Sequence, residues 1–176
     1  MLDFDVLTHG KAAFLLRPAH IKKIAKKLGN LQPLKRLRAR AGLALISEKD
    51  MKELNRTFRG KNKPTDILSF PQFSPKELGR IAGAKKTARQ IVYLGDILLC
   101  KNPVIKMARA RKKPLEHHVT HLVVHGLLHL LGYDHMQKKE ARRMERTEKE
   151  LLRRLRIPDP YVTDAAAKTR QRRKTR

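Results

Sequence analysis

The stretch at residues 121–135, HLVVHGLLHLLGYDH, spaces three histidines as His-x3-His-x5-His. Residues four apart lie on the same face of a helix, so His125 and His129 can direct their rings at one point. Gly132 readily takes the left-handed conformation that ends a helix and reverses the chain, which returns His135 to that point. Three neutral imidazoles with a fourth position open to water are the ligand set of a catalytic zinc site. We therefore predict that His125, His129 and His135 hold one zinc ion per chain.

The same residues would also suit an amphipathic core helix that happens to be rich in histidine. Its leucines and valines supply an apolar surface wide enough for a buried helix. The spacing, the ligand type and the returning glycine together favour the metal site. We interpret His117 and His118 as solvated polar positions, and His121 as a pocket group beside the metal that is a candidate substrate contact.

The histidine spacing matches the zinc-peptidase signature H-E-x-x-H-x-x-G-x-x-H except at Gly126. The signature has a glutamate there that acts as general base in peptide hydrolysis, and glycine cannot transfer a proton. Peptide hydrolysis is therefore disfavoured. Because a glycine inside a helix costs about 1 kcal/mol relative to alanine, Gly126 indicates a need for open space or close backbone approach beside the metal.

Three segments carry a resemblance to a known family. They read H-G-x-L-H-L-x-G-Y-D-H at residues 125–135, K-P-T-D-I-L-S-F-P at 63–71 and L-G-D-I at 94–97. Together they closely resemble the YbeY family of bacterial metal-dependent endoribonucleases, in the family's order and over roughly residues 45–136. The resemblance implies a zinc-dependent enzyme that cleaves single-stranded RNA, matures the 3′ end of the small-subunit ribosomal RNA and takes part in ribosome quality control.

Arg59 is a candidate phosphate ligand at the end of a helix that Ser47 and Asp50 are predicted to cap. A guanidinium stays charged at physiological pH, and its planar fork matches phosphate oxygens. Arginine near a helix C terminus is equally favourable for the helix dipole alone, so its chemistry leaves both interpretations open. The resemblance implies the functional one. We expect Arg59 and His125 to act in catalysis, and Arg59, Ser69 and His121 to bind the substrate.

The composition favours a polyanionic partner. The chain has 176 residues, enough for one domain with a real core, and a formal net charge of +26. Such an excess fits nucleic acid or an anionic membrane surface, but no apolar segment argues for a membrane span and no leader opens the chain. Cys100 is the only cysteine, so histidine must hold the metal and a reducing cytoplasm fits. We expect RNA and the ribosome or its small-subunit proteins as partners, and no membrane.

Alternating strand and helix patterns predict one α/β (α+β) domain over residues 1–160. We expect a small mixed sheet of about four strands packed with helices, including a zinc-binding helix like those of metalloprotease cores, as the resemblance also implies. Residues 72–90 lack a period and are predicted to be a mobile surface loop, and Asn102 is predicted to cap a short helix. Asp96 interrupts an apolar strand and is either satisfied by backbone donors or located at the metal cleft.

Residues 161–176 are increasingly basic and carry few residues that could pack. They are predicted to form a disordered tail that either solubilises the chain or contacts RNA. Two further functions stay open, a zinc hydrolase of amide or ester bonds and a zinc-stabilised, non-catalytic RNA-binding factor of ribosome assembly. Ligation by histidine alone at an open site favours catalysis, because structural zinc sites are usually closed by four ligands.

Overall fold

The computed structural model of the chain describes residues 1–8, 14–84 and 90–161. Within these residues the chain alternates between strands and helices, in the order expected of an α/β domain. The elements are β1 (Leu2–Leu7), α1 (Pro18–Leu28), β2 (Arg38–Ile46), α2 (Glu48–Arg59), β3 (Ile67–Pro71), α3 (Pro75–Gly83), β4 (Ile91–Cys100), α4 (Lys101–Ala110), α5 (Leu115–Leu130) and α6 (Lys138–Arg154).

The strands form one mixed sheet in the order β1-β2-β4-β3. β1, β2 and β4 run parallel, whereas β3 runs antiparallel to β4 and forms an edge. Pro71 ends that edge strand. Proline has no N–H, and at this position the sheet loses no hydrogen bond because of it. The predicted fold class, a single α/β domain with a small mixed four-stranded sheet, is confirmed.

The histidine-rich helix α5 packs directly on β3 and β4. Its apolar residues Val123, Val124, Leu127 and Leu128 are fully buried in the main core. A Cβ atom at Gly126 would lie 2.9 Å from Ile97 Cγ2 on β4 and 3.1 Å from Ile67 Cδ1 on β3. Gly126 therefore allows α5 to pack close to the sheet, because it has no side chain. This close packing brings the face of α5 that carries the histidines near the expected metal cleft.

The opposite face of the sheet carries α2 and a second, smaller core. Met51 of α2 packs there with Leu68 and Cys100, and all three are buried. Ser47 caps α2 as predicted, because its side chain accepts a hydrogen bond of 3.1 Å from the Asp50 backbone N–H. Gly60 ends the helix in the left-handed conformation, which turns the chain immediately after Arg59.

The predicted loop at residues 72–90 is wrong in its first half, where α3 forms. The Ser74 side chain accepts a hydrogen bond from the Glu77 backbone N–H, and the Glu77 carboxylate accepts one of 2.8 Å from the Ser74 backbone N–H. This capping box starts the helix, and burial of Leu78 in the core holds it in place. Residues 85–89 of the predicted loop lie outside the described residues.

One smaller expectation is contradicted by the structure, and another falls outside the residues that it describes. The predicted cap by Asn102 is wrong, because α4 begins at Lys101 with no side-chain cap and the Asn102 amide donates to Glu48 instead. The predicted tail lies outside the described residues except for Tyr161. Among the described residues, no helix has the length and apolar character needed to cross a membrane.

Candidate metal centre

The C-terminal end of α5 presents the first two histidines and the turn that follows returns the third. His125 and His129 stand one helical turn apart on the same face. Gly132 has φ +80°, its N–H donates to the His129 carbonyl, and the next N–H, of Tyr133, donates to the Leu128 carbonyl. This pair of bonds is a Schellman motif, which reverses the chain and brings His135 back toward the helix.

The three histidine rings converge as the spacing requires of a metal site. His125 Nε2 lies 3.1 Å from His129 Nε2. The ring centroid of His135 lies 5.0 Å from that of His129 and 5.8 Å from that of His125. One nitrogen from each ring lies within 4.8 Å of the others, so the three side chains could hold a metal ion. A set of three imidazoles with one exposed member suits a transition metal that keeps an open position.

The protonation state of His129 also suits a metal. Burial, together with the neighbouring His125 and His135, lowers the pKa of His129 to about 4. His129 is therefore neutral near pH 7, which is the form that binds a metal ion.

Glu148 on α6 is part of the site, although the sequence analysis missed it. Its side chain is fully buried, with Oε1 3.0 Å from His125 Nδ1 and 3.3 Å from His121 Nε2. The Tyr161 hydroxyl donates a hydrogen bond to Oε2. Burial alone would raise the pKa of Glu148, but the His121 and His125 rings and the Tyr161 hydroxyl lower it to about 2. The carboxylate is therefore ionised and directed at a predicted metal ligand.

A signal for Glu148 was present in the sequence. The apolar stripe of α6 contains Met144, Leu151 and Leu152, and position 148 falls between them at helical spacing. A carboxylate at such a position enters the core and must find polar partners there. The predicted ligand set ends at residue 135 and does not include the acid on the next helix.

The histidines that precede the cluster on α5 have different environments. His118 is buried, with Nε2 3.8 Å from Asp66 Oδ2, and burial lowers its pKa to about 4. Its interpretation as a solvated position is therefore wrong, because this face of α5 packs against the chain that leads into β3. His117 is half-buried, and His121 is buried beside Glu148.

Arg59 and Ser69 belong to α2 and β3. Arg59 is the exposed last residue of α2, and its charge contributes, after burial and the two neighbouring histidines, to the lowered pKa of His129. Its guanidinium thus lies within electrostatic range of the cluster. Ser69 is half-buried on β3, opposite Ile97, and lies on the side of the sheet that faces α5.

Asp96 does not join the cluster. Its Oδ1 accepts a hydrogen bond of 2.5 Å from the Tyr93 hydroxyl, and a Cβ atom at Gly42 would lie 2.0 Å from it. The neighbouring Ile97 faces α5, so Asp96 faces the opposite side of the sheet. Of the two expectations for this residue, the metal cleft is excluded by this geometry, and the partner is a tyrosine hydroxyl in place of backbone donors.

Comparisons with known proteins agree with this fold. The solution structure of TM1509 from Thermotoga maritima, described as a NESGC target protein, matches with a TM-score of 0.54 and 26% sequence identity. The match covers 92% of this chain and 97% of that one. The family described as Endoribonuclease YbeY matches residues 15–156, which include all three clustered histidines, Arg59 and Glu148. Membership supports a hydrolase that cleaves RNA in ribosomal RNA processing, and on this match the chain belongs to the YbeY endoribonuclease family.

Proposed function

We propose that the chain is a zinc-dependent endoribonuclease specific for single-stranded RNA. The observation that carries this proposal is the convergence of three imidazoles at the end of α5, with the cation of Arg59 in electrostatic range. In the proposed role the enzyme matures the 3′ end of the small-subunit ribosomal RNA and takes part in ribosome quality control in the cytoplasm. The ribosome or its small-subunit proteins would be its partners.

Some of the site residues would bind the metal ion, and others would contact the substrate. His125, His129 and His135 would hold one zinc ion, and His125 would count as catalytic through that ion. Bound zinc would supply a water with a pKa of about 7 and polarise a phosphoryl oxygen. Arg59 would stabilise the negative charge that develops on the phosphate in the transition state. Ser69 and His121 would contact the substrate from the two walls of the cleft.

The packing of Gly126 supports phosphodiester over peptide hydrolysis. A side chain at this position would collide with Ile97 and Ile67, so α5 has no room there for the glutamate of a zinc peptidase. A nuclease needs a cation beside the metal more than it needs this base, and Arg59 supplies one. The proposed nuclease domain spans residues 1–160, and the basic residues 161–176 would add auxiliary contacts to RNA.

The proposal is tested by metal analysis and RNA cleavage of the His129→Ala variant. We expect purified wild-type protein to carry about one zinc ion and to cleave single-stranded but not double-stranded RNA, with loss of cleavage in chelator. His129→Ala should lose most of the metal and the activity. His117→Ala is the matched control, because it removes a histidine from the same helix outside the cluster. Full metal occupancy in His129→Ala would remove His129 from the ligand set.

A further inference from the structure

We propose that Glu148, held by the hydroxyl of Tyr161, is a positioning residue that orients the ring of His125 for metal binding. Metal binding by His125 is itself part of the proposed function, so this role depends on it. Glu148 is fully buried and contacts the cluster at His125, so it acts through that residue. Three features of its surroundings support the role.

The first feature is the side of the imidazole that Glu148 contacts. Oε1 lies 3.0 Å from His125 Nδ1, whereas Nε2 of the same ring faces His129 Nε2 at 3.1 Å. A carboxylate accepts only, so Nδ1 must carry the hydrogen and Nε2 keeps its lone pair. The carboxylate thus selects the tautomer and the ring orientation in which Nε2 can bind a metal.

The second feature is the complete burial of the carboxylate. Relative exposure of Glu148 is 0%, and its partners in the site are His121, His125 and Tyr161. A buried carboxylate is strongly unfavourable unless such partners surround it, and an apolar residue would fill the same stripe of α6 at no such cost. The carboxylate therefore stands at a core position where its polar partners are two histidines of α5, one of them a member of the cluster, and a tyrosine hydroxyl.

The third feature is the way the chain after α6 holds Tyr161 in place. Arg156 has φ 61°, so the chain reverses there, and residues 157–161 return along α6. Asp159 Oδ2 lies 3.4 Å from Lys149 Nζ, and the Pro160 carbonyl accepts a hydrogen bond from Lys113. These contacts fix the segment so that the tyrosine hydroxyl reaches Oε2 of Glu148. The segment that follows α6 is thereby linked to the histidine cluster.

A competing explanation is that the acid is itself a ligand of a second metal ion. His121, His125 and Glu148 also offer ligand atoms within 4.8 Å of one another. His125 would then have to bind two ions through its two ring nitrogens, which requires loss of the Nδ1 proton. Metal stoichiometry separates the two explanations, because the positioning role needs one ion and the competing role needs two.

The experiment compares Glu148→Gln and Tyr161→Phe with two matched controls. Glu150→Gln removes a carboxylate from the surface of the same helix, and Tyr93→Phe removes a tyrosine hydroxyl that binds a carboxylate on the other side of the sheet. Zinc affinity is measured by competition with a chelator, and ligand geometry by the absorption spectrum of the cobalt-substituted protein. Thermal unfolding without metal reports on the fold.

We expect Glu148→Gln to weaken zinc binding about 10- to 100-fold and to change the cobalt spectrum. Tyr161→Phe should shift both in the same direction by less, and the controls should match wild type. Wild-type affinity and spectrum in both test variants would overturn the role, and if Glu148→Gln does not fold, an unchanged Tyr161→Phe is sufficient to do so. Two ions in wild type, one of them lost in Glu148→Gln, would also overturn it. A wild-type protein that binds no metal would instead refute the proposed function.

Discussion

Substitution of Arg59 can separate the effects of metal binding from those of phosphate chemistry. Arg59 ends α2, carries no metal ligand atom, and still acts electrostatically on His129. A helix C terminus favours a cation by about 0.3–1 kcal/mol through the dipole alone. That stabilisation is small, so a large effect of its substitution on cleavage would have to come from the reaction.

We expect Arg59→Glu to lower kcat/KM for RNA cleavage by about 10²–10³-fold or more while zinc content stays intact. The change reverses the charge beside the phosphate and leaves all three histidines in place. Arg56→Glu is the control, because Arg56 lies one turn earlier on α2 and its ion-pair partner is Glu53 on the surface. Cleavage at the wild-type rate in Arg59→Glu would leave Arg59 with its helix-dipole role only.

At the scale of an element, α6 carries its charges in an order that helix stability does not explain. Two cations stand in its first turn, where the helix dipole disfavours them, and the cations of the first half repeat at intervals of four. Each like-charged pair at that interval costs about 0.2–0.5 kcal/mol. The exposed cations of the first half, which make no ion pair with a described residue, are Lys138, Lys139, Arg142, Arg143 and Arg146.

The first half of α6 follows the histidine cluster closely in the chain, and this position indicates a function for its charges. α6 begins three residues after His135, and Arg143 stacks on the ring of Tyr133 at 5.0 Å. The second half of α6 differs, since Arg153 and Arg154 both pair with Glu150. If the chain cleaves RNA as proposed, we expect these cations to contact phosphates of a strand that is bound at the histidine cluster.

We therefore expect the double variant Lys138→Gln, Arg142→Gln to weaken binding of single-stranded RNA and to flatten its salt dependence. Loss of two phosphate contacts should reduce the slope of log K against log salt concentration by about 1.4. Lys22→Gln, Lys26→Gln is the matched control, because these lysines have the same spacing and exposure on α1. Equal effects of the two double variants would mean that net charge alone, and not the surface of α6, governs RNA binding.

At the scale of the whole molecule, the charge of +26 should make RNA affinity strongly dependent on salt. Cations that neutralise phosphates release condensed counterions. The free energy gained from this release falls as the salt concentration rises. Residues 168–176 carry six Lys or Arg residues and lie outside the described part of the chain. Their proposed use is as part of the electrostatic footprint on RNA.

Deletion of residues 168–176 should weaken RNA binding and reduce the salt slope by at most about 4, the value for six lost phosphate contacts on a single strand. Metal content should equal that of wild type, because the deleted residues include none of the clustered histidines. A variant of full length with the six cations replaced by glutamine controls for chain length. Unchanged affinity and slope in both variants would assign the tail a role unrelated to RNA.

The local patterns of the chain were sufficient to predict most elements and the histidine cluster. The four-residue spacing of His125 and His129, together with Gly132, predicted the helix, its end and the return of His135. The Ser47 cap and the apolar run of β4 likewise depend on neighbours in sequence. Such features are readable because helix and strand periods place nearby residues on known faces.

The errors have two different causes. The α3 helix was missed although its capping box is local, because the lack of an apolar period outweighed the Ser74–Glu77 signal. His118 was assigned to solvent because the sequence does not show which flank of α5 meets the sheet. The α3 helix therefore has a local sequence signal, whereas the burial of His118 has none.

The chain's own periodicity therefore specified the α5 helix, the strand pattern and the convergence of three imidazoles. The surroundings of that cluster depend on contacts between distant elements. His125 and Glu148 are 23 residues apart and lie on different helices, and Tyr161 reaches the same carboxylate from beyond the end of α6. Spacing along one helix cannot encode such a contact, because it exists only when α6 packs on α5 and a buried charge must find its partners there.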